Sequence, residues 1–328
     1  MEFFDKIKIY TIGNDNLANA TENHIQQLHK FISYLNSNDR YRIIYRGDNY
    51  KEFYKRYNVS NKLDFIRCLF LVGDKGRKYR EEHRTLISKK EKLYPINLID
   101  KKLFEKIFSK LRKIFRNSDK SIVKEFIHNN PNFYNFFLDS SNKKEFMKII
   151  DMLDNNQKLE VRDYFLTLLH QLGHIGFYHN SFFLSTTTEL NVAYEFATHS
   201  TDDGIILISW TEWPISKLGI TKQQIQNTSK LIEKLNLPKY TSTFYPSQNE
   251  FFLKGGLLPH YIIGYYDIHN QEFIINPHLI ELDEDSEIYE YLAKEGFYIN
   301  QDKFSDKMRK TLFKGYFTFF DKFDDYDL

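Results

Sequence analysis

From about residue 50 to residue 175 the apolar residues recur at helical spacing, and beyond residue 180 they gather into short runs that favour strands. A strand-like run, Tyr41 to Tyr45, also precedes the helical stretch. The sheet must therefore be assembled from segments on both sides of a long helical block. That arrangement predicts an α+β domain with a helical insertion at about 50–175. No internal repeat or low-complexity linker divides the chain, so 1–328 reads as a single domain.

Individual segments follow the same logic. "TENHIQQLHKFISYLN" predicts a helix, with Thr21 as a cap and Ile25, Leu28, Ile32 and Leu35 at helical intervals. In "KKLFEKIFSKLRKIFRN", Leu103, Ile107, Leu111 and Ile114 form one face, with Phe104, Phe108 and Phe115 beside them. Lys101, Lys102, Lys106, Lys110, Arg112, Lys113 and Arg116 occupy the rest. The plain reading of that basic face is solvation; the alternatives are a groove for RNA or another polyanion and, last, membrane contact. "SFFLSTT", "GIILISW", "NEFFLKGGLLPHYIIGYYDIH" and "QEFIINP" predict strands. "LDEDSEIYEYLAKEGFYI" predicts a helix, "DKMRKTLFKGYF" a helical or irregular end, and "DKFDDYDL" an acidic tail.

Composition removes several function classes. Glycine (13) and proline (7) are scarce, and neither G-x-G-x-x-G nor G-x-x-x-x-G-K-[ST] occurs, so a nucleotide would have to be held without a glycine-rich turn. The one cysteine, Cys68 in "FIRCLFLV", reads as a buried hydrophobe and excludes both an internal disulfide and a cysteine zinc cluster. His170 and His174 in "HQLGH" lack the glutamate of a zincin, so no metal is expected. "MEFFDKIKIY" has no signal-peptide pattern and no apolar run approaches 18 residues. The expectation is a soluble cytoplasmic protein with no membrane partner. A net charge of +2 does not by itself demand a nucleic acid.

Three short stretches carry chemistry. In "YRG", Arg46 ends the run from Tyr41 and offers a planar fork of donors for phosphate or carboxylate, while Gly47 allows a sharp turn or a close approach. In "FLSTTTELNVAYEFA", Ser185, Thr186 and Thr187 close a strand and a helix follows, with Thr187 or Thr188 as its cap. Ser185 and Thr186 lie too far upstream to cap, which leaves their hydroxyls for a carboxylate. In "YPSQNEFFLKGG", Gln248 and Glu250 point to one side if extended. Each stretch alone also has a plain reading, as an edge charge, a cap and a solvated strand mouth.

An arginine at a strand end, then S-T-[ST] before a helix with A-x-x-F-A (Ala193 to Ala197), then [EQ]-x-E entering a late strand, resembles the Arg–Ser–Glu group of mono-ADP-ribosyltransferases. "YRG", with "LLHQLGHIGFYHN" and "VAYEFA", is also similar to the FRG-domain branch of that superfamily, although the "LLDWT"-like segment is missing. The resemblance rests on about 30 residues spread over 45–266 and leaves the helical block unexplained.

The resemblance implies a split, mixed β core clasping NAD as co-substrate without metal. It assigns Arg46 to a phosphate and to fixing the cleft, and Gly47 to the nicotinamide amide. Ser185 would orient Glu250, Thr186 and Thr187 would shape the floor, and Glu250 would hold a hydroxyl of the nicotinamide ribose. Gln248, two before the glutamate, would meet the acceptor, with Tyr245 and Phe244 placed to stack on it. A glutamine there goes with amide side chains or a nucleobase amine rather than arginine. The basic helix and "DKGRKYR" at 74–80 favour RNA or DNA, as in RNA-modifying phage-defence toxins, with an antitoxin protein as partner. The alternatives are transfer to a protein Asn or Gln, and a catalytically inactive nucleic-acid-binding module.

Overall fold

The computed structural model describes residues 6–277 except 12–15, 38, 40, 58, 75–98, 118–120, 174–182, 200–202, 213–218, 241–249, 255–256 and 258–260. The helix and tail expected beyond residue 280 lie outside the described residues, as do Phe244, Tyr245, Gln248 and His174. The architecture is α+β, with one mixed nine-stranded sheet. Its strands are β1 (Lys6–Thr11), β2 (Asn16–Asn19), β3 (Tyr41–Asn49), β4 (Phe183–Thr187), β5 (Gly204–Glu212), β6 (Gly219–Ile220), β7 (Glu250–Lys254), β8 (Ile262–Asp267) and β9 (Glu272–Ile275). They follow the order β2-β1-β9-β8-β5-β3-β4-β7-β6. β1 and β9 pair in parallel, whereas β1–β2, β3–β4, β3–β5, β5–β8 and β8–β9 are antiparallel.

The chain divides into two compact units, one of residues 1–78, 185–219 and 256–328, the other of 79–184 and 220–255. In the first, α1 (Glu22–Asn36), α2 (Tyr50–Tyr57), α3 (Lys62–Val72) and α9 (Leu190–Thr198) accompany the sheet. Residues paired directly across neighbouring strands share a face. Ile43 opposite Trp210 therefore marks one face, and Arg46, Leu207 and Tyr265 mark the other. α1 covers the first through Phe31, whose ring stands edge-on to Trp210 at 6.2 Å. α2 and α3 cover the second, where Tyr50 and Phe65 pack on Tyr265 at 6.3 and 5.4 Å. Thr21 caps α1 as expected, and His24 closes the capping box by accepting from the Thr21 N–H at 3.2 Å.

The second unit contains α4 (Lys101–Asn117), α5 (Ser121–Asn129), α6 (Pro131–Leu138), α7 (Asn142–Met152), α8 (Asn155–Gly173), α10 (Lys222–Lys234) and β7. All seven apolar residues predicted for the inner face of α4 are buried. Their phenylalanines join a ring cluster in which Phe108 meets Phe137 at 5.1 Å and Phe133 meets Phe137 at 4.7 Å. α8 is buried on nearly every side between Val161 and Leu172, the mark of a central helix.

One expectation fails in an informative way. β3 does not end at Arg46; it runs to Asn49, and Gly47 pairs with Ile206 in its interior. The glycine answers a packing demand rather than a turn. A Cβ at Gly47 would lie 1.8 Å from the Ala193 carbonyl oxygen and 2.8 Å from the Ala197 nitrogen, both backbone atoms of α9. Without that Cβ, α9 sits directly on the strand. Gly47→Ala is expected to destabilise the protein by about 1–3 kcal/mol, as overpacking does. Chemical denaturation should show the drop in midpoint, and an unchanged midpoint would mean that α9 tolerates displacement.

Candidate functional site

On β3, Arg46 and Asp48 leave the sheet on the face opposite Tyr45 and Gly47. Arg46 is buried at 5% exposure. Its Nη1 donates to the Ser185 carbonyl at 2.9 Å and its Nη2 to Asp48 Oδ2 at 3.0 Å. Its Nε lies 3.1 Å from Asp74 Oδ2. Asp74 is reached because Gly73, with φ of 84°, ends α3 in a conformation that side chains disfavour. The Asp74 backbone then bridges Leu257 in both directions, at 2.8 and 2.9 Å. One guanidinium thus joins β3, β4 and the end of α3, with two carboxylates balancing its charge.

The hydroxyl run of β4 is sorted by the pleat. Tyr45 pairs with Thr187, so Thr187 and Ser185 leave on the Tyr45–Gly47 face, and Thr186 leaves on the Arg46 face. Ser185 and Thr186 therefore do not line one surface, and Arg46 meets Ser185 through the backbone alone in that bond. Neither Thr187 nor Thr188 caps the following helix. The cap position of α9 is Glu189, without a side-chain bond, and the Thr187 hydroxyl instead accepts the Glu189 N–H at 3.0 Å. Burial, with a smaller contribution from the Glu189 charge, raises the Tyr45 hydroxyl above its ordinary pKa.

A second polar group on the Arg46 face escaped sequence reasoning. Asp267, buried, accepts from Tyr50 Oη at 2.8 Å, Lys62 Nζ at 2.7 Å and Asn270 Nδ2 at 2.8 Å through Oδ2. Its Oδ1 accepts the Asn270 N–H at 3.1 Å, and Tyr50 Oη also lies 3.1 Å from Tyr265 Oη. Burial alone would raise the Asp267 carboxyl; the bonds from Lys62, Asn270 and Tyr50 outweigh it and hold the group below its ordinary value. Burial drives both Tyr50 and Tyr265 upward, so both phenols stay neutral.

In the helical unit, Glu250 opens β7, half-buried, on the same side of the strand as Phe252 and Lys254. Phe252 packs against His170 at 4.9 Å and Phe183 at 5.7 Å, so His170 serves an aromatic contact. Lys254 Nζ lies 2.6 Å from Asp163 Oδ2, and Asp163 Oδ1 accepts from Arg162 Nε at 2.8 Å. The next residue of α8, Tyr164, accepts the Tyr240 N–H at 2.9 Å through its hydroxyl, and the two rings sit 4.5 Å apart. Burial pushes the Tyr164 hydroxyl up to about 12 against the bonds from Tyr240 and Ser229. Adjacent residues of one helix thus hold the chain on both sides of the 241–249 segment that bears Phe244, Tyr245 and Gln248.

Two outcomes test these groups. The depressed Asp267 carboxyl contributes stability that is complete above its unfolded value of about 4 and is lost as pH falls through the lower folded value. The melting temperature should therefore fall below about pH 4 more steeply in the wild type than in Asp267→Asn; parallel curves would remove Asp267 from the linkage. Asp163→Ala, which strips a carboxylate from two buried cations, should cost about 3–5 kcal/mol in chemical denaturation. A loss below about 1 kcal/mol, the worth of an exposed pair, would contradict that role. No family model, curated protein or solved structure matches this chain.

Proposed function

We propose that the chain is a mono-ADP-ribosyltransferase that moves ADP-ribose from NAD to a nucleobase amine in RNA or DNA and releases nicotinamide. On this reading the fold is a split core of the ADP-ribosyltransferase type, and the protein is a cytoplasmic toxin or phage-defence effector restrained by an antitoxin protein. The observation that carries the reading is the junction of the first two motifs. Arg46 binds the carbonyl of Ser185, 139 residues away, and Tyr45 pairs with Thr187. Motifs linked only by their order along the chain are neighbours in space.

The chemistry follows from the residue types. The bond between the nicotinamide nitrogen and ribose C1′ breaks, its electron pair leaves with nicotinamide, and positive charge develops on the ribose. Glu250, ionised, stabilises that charge as it appears. The acceptor amine attacks C1′ and loses a proton to solvent, with Gln248 orienting its N–H groups and Phe244 and Tyr245 stacking on the base. The resemblance gives Ser185 the role of orienting Glu250; Thr187 and Gly47 share the sheet face of Ser185, whereas Thr186 leaves on the Arg46 face and is not part of that floor. The two carboxylates on Arg46 favour the cleft-fixing part of its role over direct binding of phosphate.

Incubation with labelled NAD and separate pools of RNA, DNA and cell protein tests the reading. Label should enter nucleic acid, be released by nuclease, and be accompanied by free nicotinamide. No label and no nicotinamide would sink it, and nuclease-resistant label on protein would move the acceptor to an Asn or Gln side chain. Glu250→Gln should lower transfer by about 100-fold or more with the fold retained. Gln248→Ala should damage transfer more than NAD hydrolysis; equal loss would contradict an acceptor role.

A further inference from the structure

The charge of this chain is concentrated on one helical surface. α4 carries seven lysines and arginines against Glu105 alone, and α7 carries Lys143, Lys144 and Lys148 against Glu145 and Asp151. The two helices together hold a net charge of +7, whereas the whole chain nets +2, so the remaining 300 residues sit at −5. Burial of the opposite side of α4 fixes its rotation, from Leu103 through Phe115. The cations are left on about half the helix circumference, over a length of about 22 Å.

α7 extends this surface. Lys143 lies 3.7 Å from Glu105, and Asp151 lies 3.3 Å from Lys101. Lys144 and Lys148 precede Asp151 on the same helical row. Among the described residues, no ion pair engages Lys102, Lys113 or Arg116, and all three are exposed. Arg112–Arg116 is a like-charged pair at i, i+4, which destabilises a helix by a few tenths of a kcal/mol. A polyanion laid along the face relieves that repulsion.

We propose that the outer face of α4, extended by α7, is a docking surface for the phosphodiester backbone of a polynucleotide. The identification of that strand as the RNA acceptor rests on the transferase reading above; the surface rests on its charge. A nucleic-acid duplex presents a phosphate about every 3.4 Å per strand, so about 22 Å spans some six of them, enough for Lys102, Lys113 and Arg116 each to meet one. The phenylalanines of α4 and Phe146 of α7 are buried, so among the described residues of these two helices no ring is exposed to stack on a base. Binding is therefore to phosphate, independent of sequence and strongly dependent on salt. Met152 of α7 is the one large apolar residue exposed on the described part of this face, too little to drive insertion into a lipid surface.

The test is fluorescence anisotropy with a labelled mixed-sequence 20-nucleotide RNA, without NAD, across a series of salt concentrations. Wild type should bind, with affinity falling linearly on a log–log plot against salt. The variant Lys102→Ala/Lys113→Ala/Arg116→Ala should bind at least about tenfold more weakly, with the slope reduced by about 2. It should keep its melting temperature and release nicotinamide from NAD alone at the wild-type rate. Wild-type affinity and slope in the triple variant would overturn the proposal. So would tighter binding to phosphatidylserine vesicles than to RNA. Glu250→Gln should bind RNA like wild type. Wild-type protein that binds RNA through these residues but never releases nicotinamide would leave the surface standing and remove the transferase.

Discussion

A single buried guanidinium holds together three segments of the sheet unit that lie far apart along the chain. Arg46 binds Asp48 within its own strand, Asp74 at the end of α3, and the backbone of Ser185 on the neighbouring strand. Ionised groups are costly to bury, and a guanidinium tolerates burial only where its fork of donors is matched by acceptors in fixed positions. Such a centre adds little net stability over a well-packed apolar substitute, yet removal of one member leaves the rest badly placed. It therefore specifies the arrangement of three segments more than it strengthens any of them.

The two sides of β3 illustrate different ways in which a strand is fixed. One side is set by charge, through Arg46 and Asp48. The other is set by absence, because Gly47 leaves α9 no side chain to avoid and lets the Ala193 carbonyl approach the strand. The residues nearest the proposed chemistry are thus constrained from both faces. The hydroxyl run of β4 is divided in the same manner, Thr186 toward the ion cluster and Ser185 with Thr187 toward α9.

Much of the fold was legible in the sequence because burial imposes periodicity. The inner face of α4 and the strands β4, β5, β7, β8 and β9 were each announced by spacing or by β-branched and aromatic runs. β1 and β2 were not, since "KIKIY" and "NLAN" are short and half-exposed, and β1 finds its partner in β9 near the opposite end of the described chain. α10 was missed because its apolar residues are few among glutamines and lysines. Around the candidate site in the sheet unit, Arg46 and Ser185 were visible as a motif, but Asp74 and Asp267 were not, nor was Asp163 in the helical unit. A lone aspartate looks the same in a string of letters whether it meets water or a buried cation. Only strand register and helix packing reveal which it does.

The hold of α8 on the chain to either side of residues 241–249 bears on how such a protein could diversify. Tyr240 and Lys254 are secured by adjacent residues of one buried helix, so the closure of the intervening segment is already established by the scaffold. Doubling the length of a segment between fixed ends costs only about 0.6 kcal/mol more in closure entropy. Insertions, deletions and exchanges between Tyr240 and Glu250 can therefore accumulate while the flanking anchors stay in register. The helical block that seemed a passive addition becomes a frame that fixes both flanks of the segment to which the proposed function assigns the acceptor contacts, whatever residues lie between.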